Sequence, residues 1–339
     1  MLENQPTYSD RSLPNWLDRG SKPNADALIS FSFDGKPMTG RKGESVAAAL
    51  IGADVHSFRK SREGQHRGLY CGMGTCFECL LTIDGDLSQR ACLVSVKEGM
   101  DIQSQAYAPA IGSKKNGKEA SGLETKSLPQ SSELLVIGAG PGGLAGAISA
   151  AKSGVEVIVL DERALPGGQY FKQPAIESLL IQQKAFDKQS LQGKSLVDDA
   201  YGLGVAIYSQ AMVWNIVDGR DGFDVHVIKD NVNCCIATKQ IIVATGAYER
   251  PFPIPGWTLP GFMTTGAVQT LLRAYRVTPG SKVLVCGNGP LNVQVASELV
   301  KGGVHVAGVI EASRPHNRRN LKALVAAIFR APLLILKGL

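Results

Sequence analysis

Long apolar runs are missing from this 339-residue chain. The most apolar stretch, ALVAAIFRAPLLILKGL, is broken by Arg330 and Pro332, so no segment is expected to span a membrane. Residues 1–20 are polar and lack the apolar centre of a secretory signal, and the chain reads as soluble and cytoplasmic. Aromatic residues are only 6% of the total, and none stud a basic patch in the way that base-stacking surfaces require. The net charge of +6 is matched by residues 312–339 alone, which hold Arg314, Arg318, Arg319, Lys322, Arg330 and Lys337 and no acid. Nucleic acid is therefore not an expected partner. The five histidines are scattered, no Ser/His/Asp arrangement is visible, and the sequence assigns no catalytic acid or base.

Cysteine is also sparse, with seven in the chain, yet three fall within GLYCGMGTCFECLLTIDG. With the next one they form the series Cys71, Cys76, Cys79 and Cys92. Structural zinc sites usually take cysteines as two short-spaced pairs. The C-x4-C-x2-C run with a later fourth cysteine is instead the spacing of a plant-type 2Fe–2S cluster. Gly72 and Gly74 can adopt backbone angles that turn amides towards the sulfurs. The segment LLTIDGDLSQRACLV reads as strand, Asp-Gly turn and strand, which returns Cys92 to the side of Cys79. These four cysteines are the expected metal ligands, with zinc as the alternative. A disulfide framework is disfavoured because nothing marks the chain as secreted. Cys234 and Cys235 are adjacent in an expected strand and so face opposite ways; with Cys286 they read as ordinary strand residues.

The chain divides into an N-terminal extension (1–26), a small domain (27–105), a linker (106–131) and two nucleotide-binding units (132–280 and 281–339). In the small domain, LISFSFDG reads as a strand entering a turn and GESVAAALIGADV as a helix, so a β-grasp ferredoxin-like fold is expected. The linker carries Gly, Ser, Lys and Pro without hydrophobic period. The first nucleotide unit, ELLVIGAGPGGLAGAISAAKSGVEVIVLDER, gives a buried strand, the fingerprint Gly138-x-Gly140-x-x-Gly143, a helix, a second strand and Asp161. Gly138 makes the tight turn, Gly140 admits a pyrophosphate to the backbone, and Gly143 lets helix and strand pack closely. Asp161 is placed to accept from a ribose hydroxyl. The second unit has Gly287 and Gly289 after a strand and Glu311 at the end of the next, but Asn292 stands at the third glycine position. NAD or another adenine nucleotide is the candidate ligand there, Glu311 favouring a free ribose hydroxyl although Arg314 lies close; a purely structural Rossmann unit is the alternative.

The stretches DERALPGGQYF and IIVATGAYERPFPIPGW resemble the two-dinucleotide-domain flavoproteins of the glutathione-reductase-like class. That resemblance implies FAD in the first unit, with Gly168 and Gln169 near the flavin end and Thr245 and Gly246 at the return towards the FAD domain. Tyr248 and Trp257, which flank that turn, read as core residues, with packing beside the flavin as the alternative. More narrowly, GESVAAALIGADV, the cysteine loop, PGGQY and ATGAYERPFPIPGWTLPGFMTTGAVQTLL resemble the FAD and ferredoxin-like subunits of hydrogen cyanide synthase, opine oxidase and sarcosine oxidase (its alpha chains). The four intact cysteines place the chain nearer the cyanide-synthase and opine-oxidase branch. The fold class expected is thus α/β, a β-grasp ferredoxin-like domain followed by glutathione-reductase-like Rossmann domains, C-terminally incomplete because only 28 residues follow Glu311.

The resemblance implies an oxidoreductase subunit that passes electrons from amine or amino-acid oxidation through FAD to a 2Fe–2S cluster. Its expected partners are a one-electron acceptor and a substrate-oxidising flavoprotein subunit. The alternatives are a stand-alone NAD(P)H-dependent ferredoxin-type reductase and a non-catalytic structural subunit.

Overall fold

The computed structural model describes residues 28–105, 128–175, 188–230, 232–312, 325 and 329–330. The expected N-terminal extension and most of the expected linker lie outside these residues, as do Arg314 and nearly all of the segment on which the expectation of an incomplete C-terminus rests. The chain forms two compact units, Met1–Ser281 and Lys282–Leu339.

In the first unit, strands β1 (Leu28–Phe33) and β2 (Lys36–Arg41) form a hairpin across the left-handed Asp34-Gly35 turn. Helix α1 (Val46–Gly52) follows, capped by the Ser45 hydroxyl, which accepts from Ala48 N–H. All seven of its residues are buried, because VAAALIG has no polar face to present to water. It is shorter than the sequence suggests; Asp54 enters the left-handed region (φ 66°) and ends it. The hairpin β3 (Arg59–Lys60) and β4 (His66–Arg67) precedes the cysteine loop. Strands β5 (Leu80–Ile83), β6 (Asp86–Arg90) and β7 (Asp101–Ser104) complete a five-stranded sheet of order β2-β1-β7-β5-β6. The expected strand, Asp-Gly turn, strand is β5–β6, with Ile83 opposite Asp86.

Leu128 is buried and leads into β8 (Ser131–Ile137), α2 (Pro141–Lys152) and β9 (Val157–Asp161). Every residue of β9 is buried, the signature of a parallel strand covered on both faces. Helix α3 (Lys188–Gly202) and strands β10 (Ala206–Ser209), β11 (Ala211–Gly219), β12 (Gly222–Lys229) and β13 (Val232–Val243) build the sheet β10-β9-β8-β13-β12-β11. Strands β10, β9, β8 and β13 run parallel, and β11–β13 form an antiparallel meander. Strand order reverses at β8, so the crevice at its carboxyl end is where such sheets take ligands. Cys234 and Cys235 lie in β13, the first packed against the core beneath the sheet and the second exposed.

Helix α4 (Thr265–Thr270) runs into a single π turn, Leu271–Tyr275. This segment does not stay with the Rossmann sheet. Leu271 and Val277 belong to the same buried cluster as α1 and the five-stranded sheet, so within the first unit this segment packs with the small domain. In the second unit, β14 (Lys282–Gly287), α5 (Pro290–Lys301) and β15 (His305–Glu311) form one parallel β-α-β element.

Candidate functional site

The cysteine loop carries Cys71, Cys76 and Cys79, and Cys92, just after β6, pairs with Cys79. Gly72 (φ 65°) and Gly74 (φ 80°) are left-handed, and Met73 N–H donates to Cys71 Sγ at 3.4 Å. Cys71, Cys79 and Cys92 are buried and Cys76 half-buried. The thiols pair as Cys71–Cys76 and Cys79–Cys92. The hydrogen bond from Cys76 holds Cys71 down at about 4 against the cost of burial, while Cys76 is pushed up. In the second pair the bond from Cys92 lowers Cys79, and Cys92 is raised. Cys92 feels the charge of the other three. Among the described residues, no group of three or more His, Cys, Asp or Glu side chains is arranged around one ion. Two thiol pairs fit a binuclear cluster, with two cysteines for each iron.

The glycine loop joins β8 to α2. A Cβ on Gly138 would lie 2.4 Å from the Ala244 carbonyl oxygen, and one on Gly143 would lie 1.9 Å from the Gly138 carbonyl oxygen. Both glycines are therefore demanded by the protein's own packing. Gly140 differs. Its φ is −76° and the nearest atom to an added Cβ is Gly168 Cα at 3.9 Å, so the space beside it is open. It opens into a cavity of about 560 Å³ lined by Gly138, Gly140, Asp161, Gly168, Gln169, Thr245 and Gly246, among others. Gly140 also caps the twelve-residue helix α2, whose first residues Pro141 and Gly142 line this space. A cradle that a side chain at Gly140 would fill, at a helix N-terminus, fits the pyrophosphate of a dinucleotide.

Main-chain bonds bring the remaining predicted residues here. Ala244 N–H donates to Ile137 O at 2.9 Å, so the Ala244–Gly246 turn leaves β13 beside the glycine loop; Gly167 N–H donates to Ala139 O at 2.8 Å, which seats the Gly167–Gln169 turn. Gly143 does not line the cavity and acts in packing.

Asp161 also behaves differently from a simple ribose acceptor. Its Oδ2 accepts from Ala139 N–H at 2.6 Å and its Oδ1 from Arg163 N–H at 2.7 Å. Burial raises its pKa against those two donations. The carboxylate thus holds the glycine loop in shape. Sequence reasoning missed Glu162 and Arg163, which line the same cavity with Tyr248. The Tyr248 hydroxyl donates to Glu162, Arg163 lies over the Tyr248 ring at 5.8 Å, and burial with the Glu162 charge pushes Tyr248 up to about 12. Only the acidic and basic residues that follow Asp161 signalled this in sequence.

The cysteine loop packs directly on the segment that follows the Ala244–Gly246 turn. Thr264 N–H donates to Tyr70 O at 2.9 Å, and a Cβ on Gly72 would stand 3.0 Å from Ala267 Cα. Tyr70 lies 5.2 Å from Trp257 and donates to Phe252 O at 2.7 Å, while Arg67 stacks on Trp257 at 4.8 Å.

In the second unit, Gly287 (φ 148°) and Gly289 (φ 110°) open α5. A Cβ on Gly287 would meet Asn292 Nδ2 at 2.7 Å, whereas one on Gly289 would meet nothing. Glu311 is exposed at the end of β15. Its place in β-α-β matches the expectation; the amide of Asn292 takes up room that a third glycine would leave.

A buried parallel strand, a glycine turn capping a helix and an adjoining loop of three cysteines with a fourth after the next hairpin define an iron–sulfur flavoprotein architecture. Residues 132–332 match the pyridine nucleotide-disulphide oxidoreductase family and residues 26–107 match a 2Fe-2S iron-sulfur cluster binding domain. The chain belongs to the pyridine nucleotide-disulphide oxidoreductase family, with a 2Fe–2S domain preceding its FAD/NAD(P)-binding domain.

The opine oxidase A-chain of Agrobacterium tumefaciens is 35% identical over 61% of this chain and 42% of its own length. The alpha chain of the Rhizobium meliloti sarcosine oxidase is 27% identical over 85% of this chain and 34% of its own. The HcnB chain of the Pseudomonas protegens hydrogen cyanide synthase is 31% identical over 52% of this chain and 39% of its own. The chain thus spans about two fifths or less of these relatives. L-proline dehydrogenase from P. horikoshii shares the fold, with a TM-score of 0.68 and 21% identity over 91% of this chain and 57% of that one. Among the described residues no helix is long and apolar enough to cross a membrane.

Proposed function

We propose that this chain is the flavin-binding, electron-transferring subunit of an oxidoreductase that acts on an amine or amino acid. Cys71, Cys76, Cys79 and Cys92 hold the 2Fe–2S cluster, and the glycine loop with Asp161, Gly168, Gln169, Thr245 and Gly246 holds FAD. When bound, FAD supplies two-electron oxidation and the cluster one-electron transfer.

The observation that carries the reading is the packing of Tyr70–Gly72 on Thr264–Ala267, which ties the cysteine loop to the segment leaving the glycine-loop cavity. Gly140 leaves room for a pyrophosphate, the amides of α2 attract its charge, and Asp161 keeps the loop open by holding Ala139 and Arg163. Gly74, whose Cβ would meet Leu93 Cδ1 at 2.6 Å, lets the cysteine loop close without displacing the core.

The relatives named as subunits of opine oxidase, sarcosine oxidase and hydrogen cyanide synthase support both the amine or amino-acid substrate class and a partner subunit that carries the substrate site. The thiols of Cys234, Cys235 and Cys286 and a cluster held by the other four cysteines are in keeping with a cytoplasmic location. Anaerobic addition of a panel of amino acids and N-substituted amino acids, with and without co-purified partners, tests the reading. Flavin bleaching by one of them supports it. Bleaching by NADH alone would favour the NAD(P)H-dependent reductase instead, a reading that the open space at Gly289 and the position of Glu311 keep in view.

The domain limits proposed are 27–105 for the cluster domain, 132–280 for the FAD unit and 281–339 for the second nucleotide unit.

A further inference from the structure

The part of the cysteine loop that faces outward carries an aromatic side chain in an unfavourable setting. Phe77 lies between Cys76 and Cys79, is 54% exposed, and has a φ of 58°. A bulky residue in the left-handed region is a backbone outlier, and strain of that kind concentrates at functional positions. Nothing in the fold requires a phenyl ring there, since the ring points to solvent rather than into the core.

Its surroundings are cationic. Arg90 stacks over the ring at 5.1 Å while donating to Gly74 O at 2.9 Å. Arg59 donates to Phe77 O at 3.4 Å and to Glu78 O at 3.1 Å. Arg59 and Arg67 both pair with Glu78 at 3.1 Å, which fixes the β3–β4 hairpin against the loop. Around Phe77 the surface holds Arg59, Lys60, Arg62, Arg67 and Arg90 against Glu63 and Glu78, five cations less two acids, or +3. Lys60, Arg62 and His66 are exposed at the hairpin's end.

An exposed aromatic anchor inside a cationic rim is the composition of a charge-steered docking surface. We infer that Phe77 and the basic β3–β4 hairpin form the docking surface for an acidic one-electron carrier protein, which takes electrons at the exposed side of the cluster loop. Phe77 provides the apolar anchor, and Lys60 and Arg62 steer the approach. The inference rests on the reading of the four cysteines as cluster ligands.

The test uses the anaerobically purified chain with flavodoxin as an acidic carrier and cytochrome c as a basic control. Iron content and the cluster's EPR signal are recorded first, then binding by calorimetry at about 20 mM and about 500 mM NaCl. Flavodoxin is expected to bind at low salt and to weaken about tenfold or more at high salt, with no binding of cytochrome c. Lys60→Glu with Arg62→Glu should weaken low-salt binding about tenfold with the EPR signal intact. Phe77→Ser should weaken it by a similar factor at both salt concentrations. If the EPR signal is present but flavodoxin does not bind, binds independently of salt, or is unaffected by the charge reversal, the docking surface is wrong while the cluster stands. If cytochrome c binds equally well, the assigned charge of the partner is wrong. A chain without iron overturns both readings.

Discussion

Gly140 and Gly143 stand three residues apart in one glycine loop, and the geometry assigns them opposite consequences on substitution. A Cβ at Gly143 would lie 1.9 Å from the Gly138 carbonyl oxygen, so Gly143→Ala must push α2 off the sheet. Overpacking of that kind costs about 1–3 kcal/mol and sometimes more, and each kcal/mol lowers Tm by roughly 2–4 °C in a unit of this size. At Gly140 the nearest protein atom to an added Cβ is 3.9 Å away and φ is −76°, so alanine fits. Its cost is that of replacing glycine at a helix N-cap, under about 1 kcal/mol.

The methyl group would stand in the cavity. If it removes as few as two charge-assisted amide contacts to a phosphate, each worth about 1.5–3 kcal/mol, FAD affinity falls by about a hundredfold or more. Thermal melting of the flavin-free chain and titration with FAD separate the two effects. Gly140→Ala should melt close to the parent and bind FAD poorly; Gly143→Ala should melt well below it. Equal melting of the two variants, or parental FAD affinity in Gly140→Ala, would refute the division between packing and ligand glycines.

Cys76→Ser should remove most of the iron and leave melting of the FAD unit largely unchanged, as read by iron analysis and calorimetry. Asp161→Ala should cost about 1–3 kcal/mol in stability even without flavin, because the buried Ala139 amide and the half-buried Arg163 amide lose their acceptor; an effect confined to FAD affinity would restore the simple ribose-acceptor role. Tyr248, pushed up to about 12 from 10.0 by burial and then by Glu162, favours its neutral form in the fold. Its contribution is fully present below pH 10 and is lost as pH rises through 12. Burial also raises Tyr70 and Tyr275, so ultraviolet titration should show several late-ionising tyrosines, one fewer in Tyr248→Phe.

Local features of the site were legible in sequence because their causes are local. The cysteine spacing, the Asp-Gly turn between β5 and β6, and the strand–glycine–helix–strand run ending at Asp161 each depend on neighbours a few residues away. The apolar run Val157–Leu160 of β9 and the alternating β1 follow from whether one or both faces are covered. What escaped depends on residues far apart in the chain. The contact of Tyr70 with Trp257, and the burial of Leu271 and Val277 with α1, join segments whose separation leaves no periodicity to read.

The role of Asp161 needed coordinates for a related reason: the fingerprint assigns packing to Gly143 and phosphate approach to Gly140, but it does not say that the acid meets the protein's own Ala139 and Arg163 amides. Trp257 and Tyr248, expected as core residues, instead sit at the two seams of the site, one against Arg67 and Tyr70 and the other against Glu162 and Arg163.

Everything proposed for this chain depends on its holding an iron–sulfur cluster and a flavin together, and the cofactor stoichiometry of anaerobically purified protein reads both at once. About two irons per chain are expected, with an EPR signal on reduction, together with about one FAD released on denaturation. Stoichiometric zinc without iron at the four cysteines, or a chain that binds iron but never FAD, would contradict it.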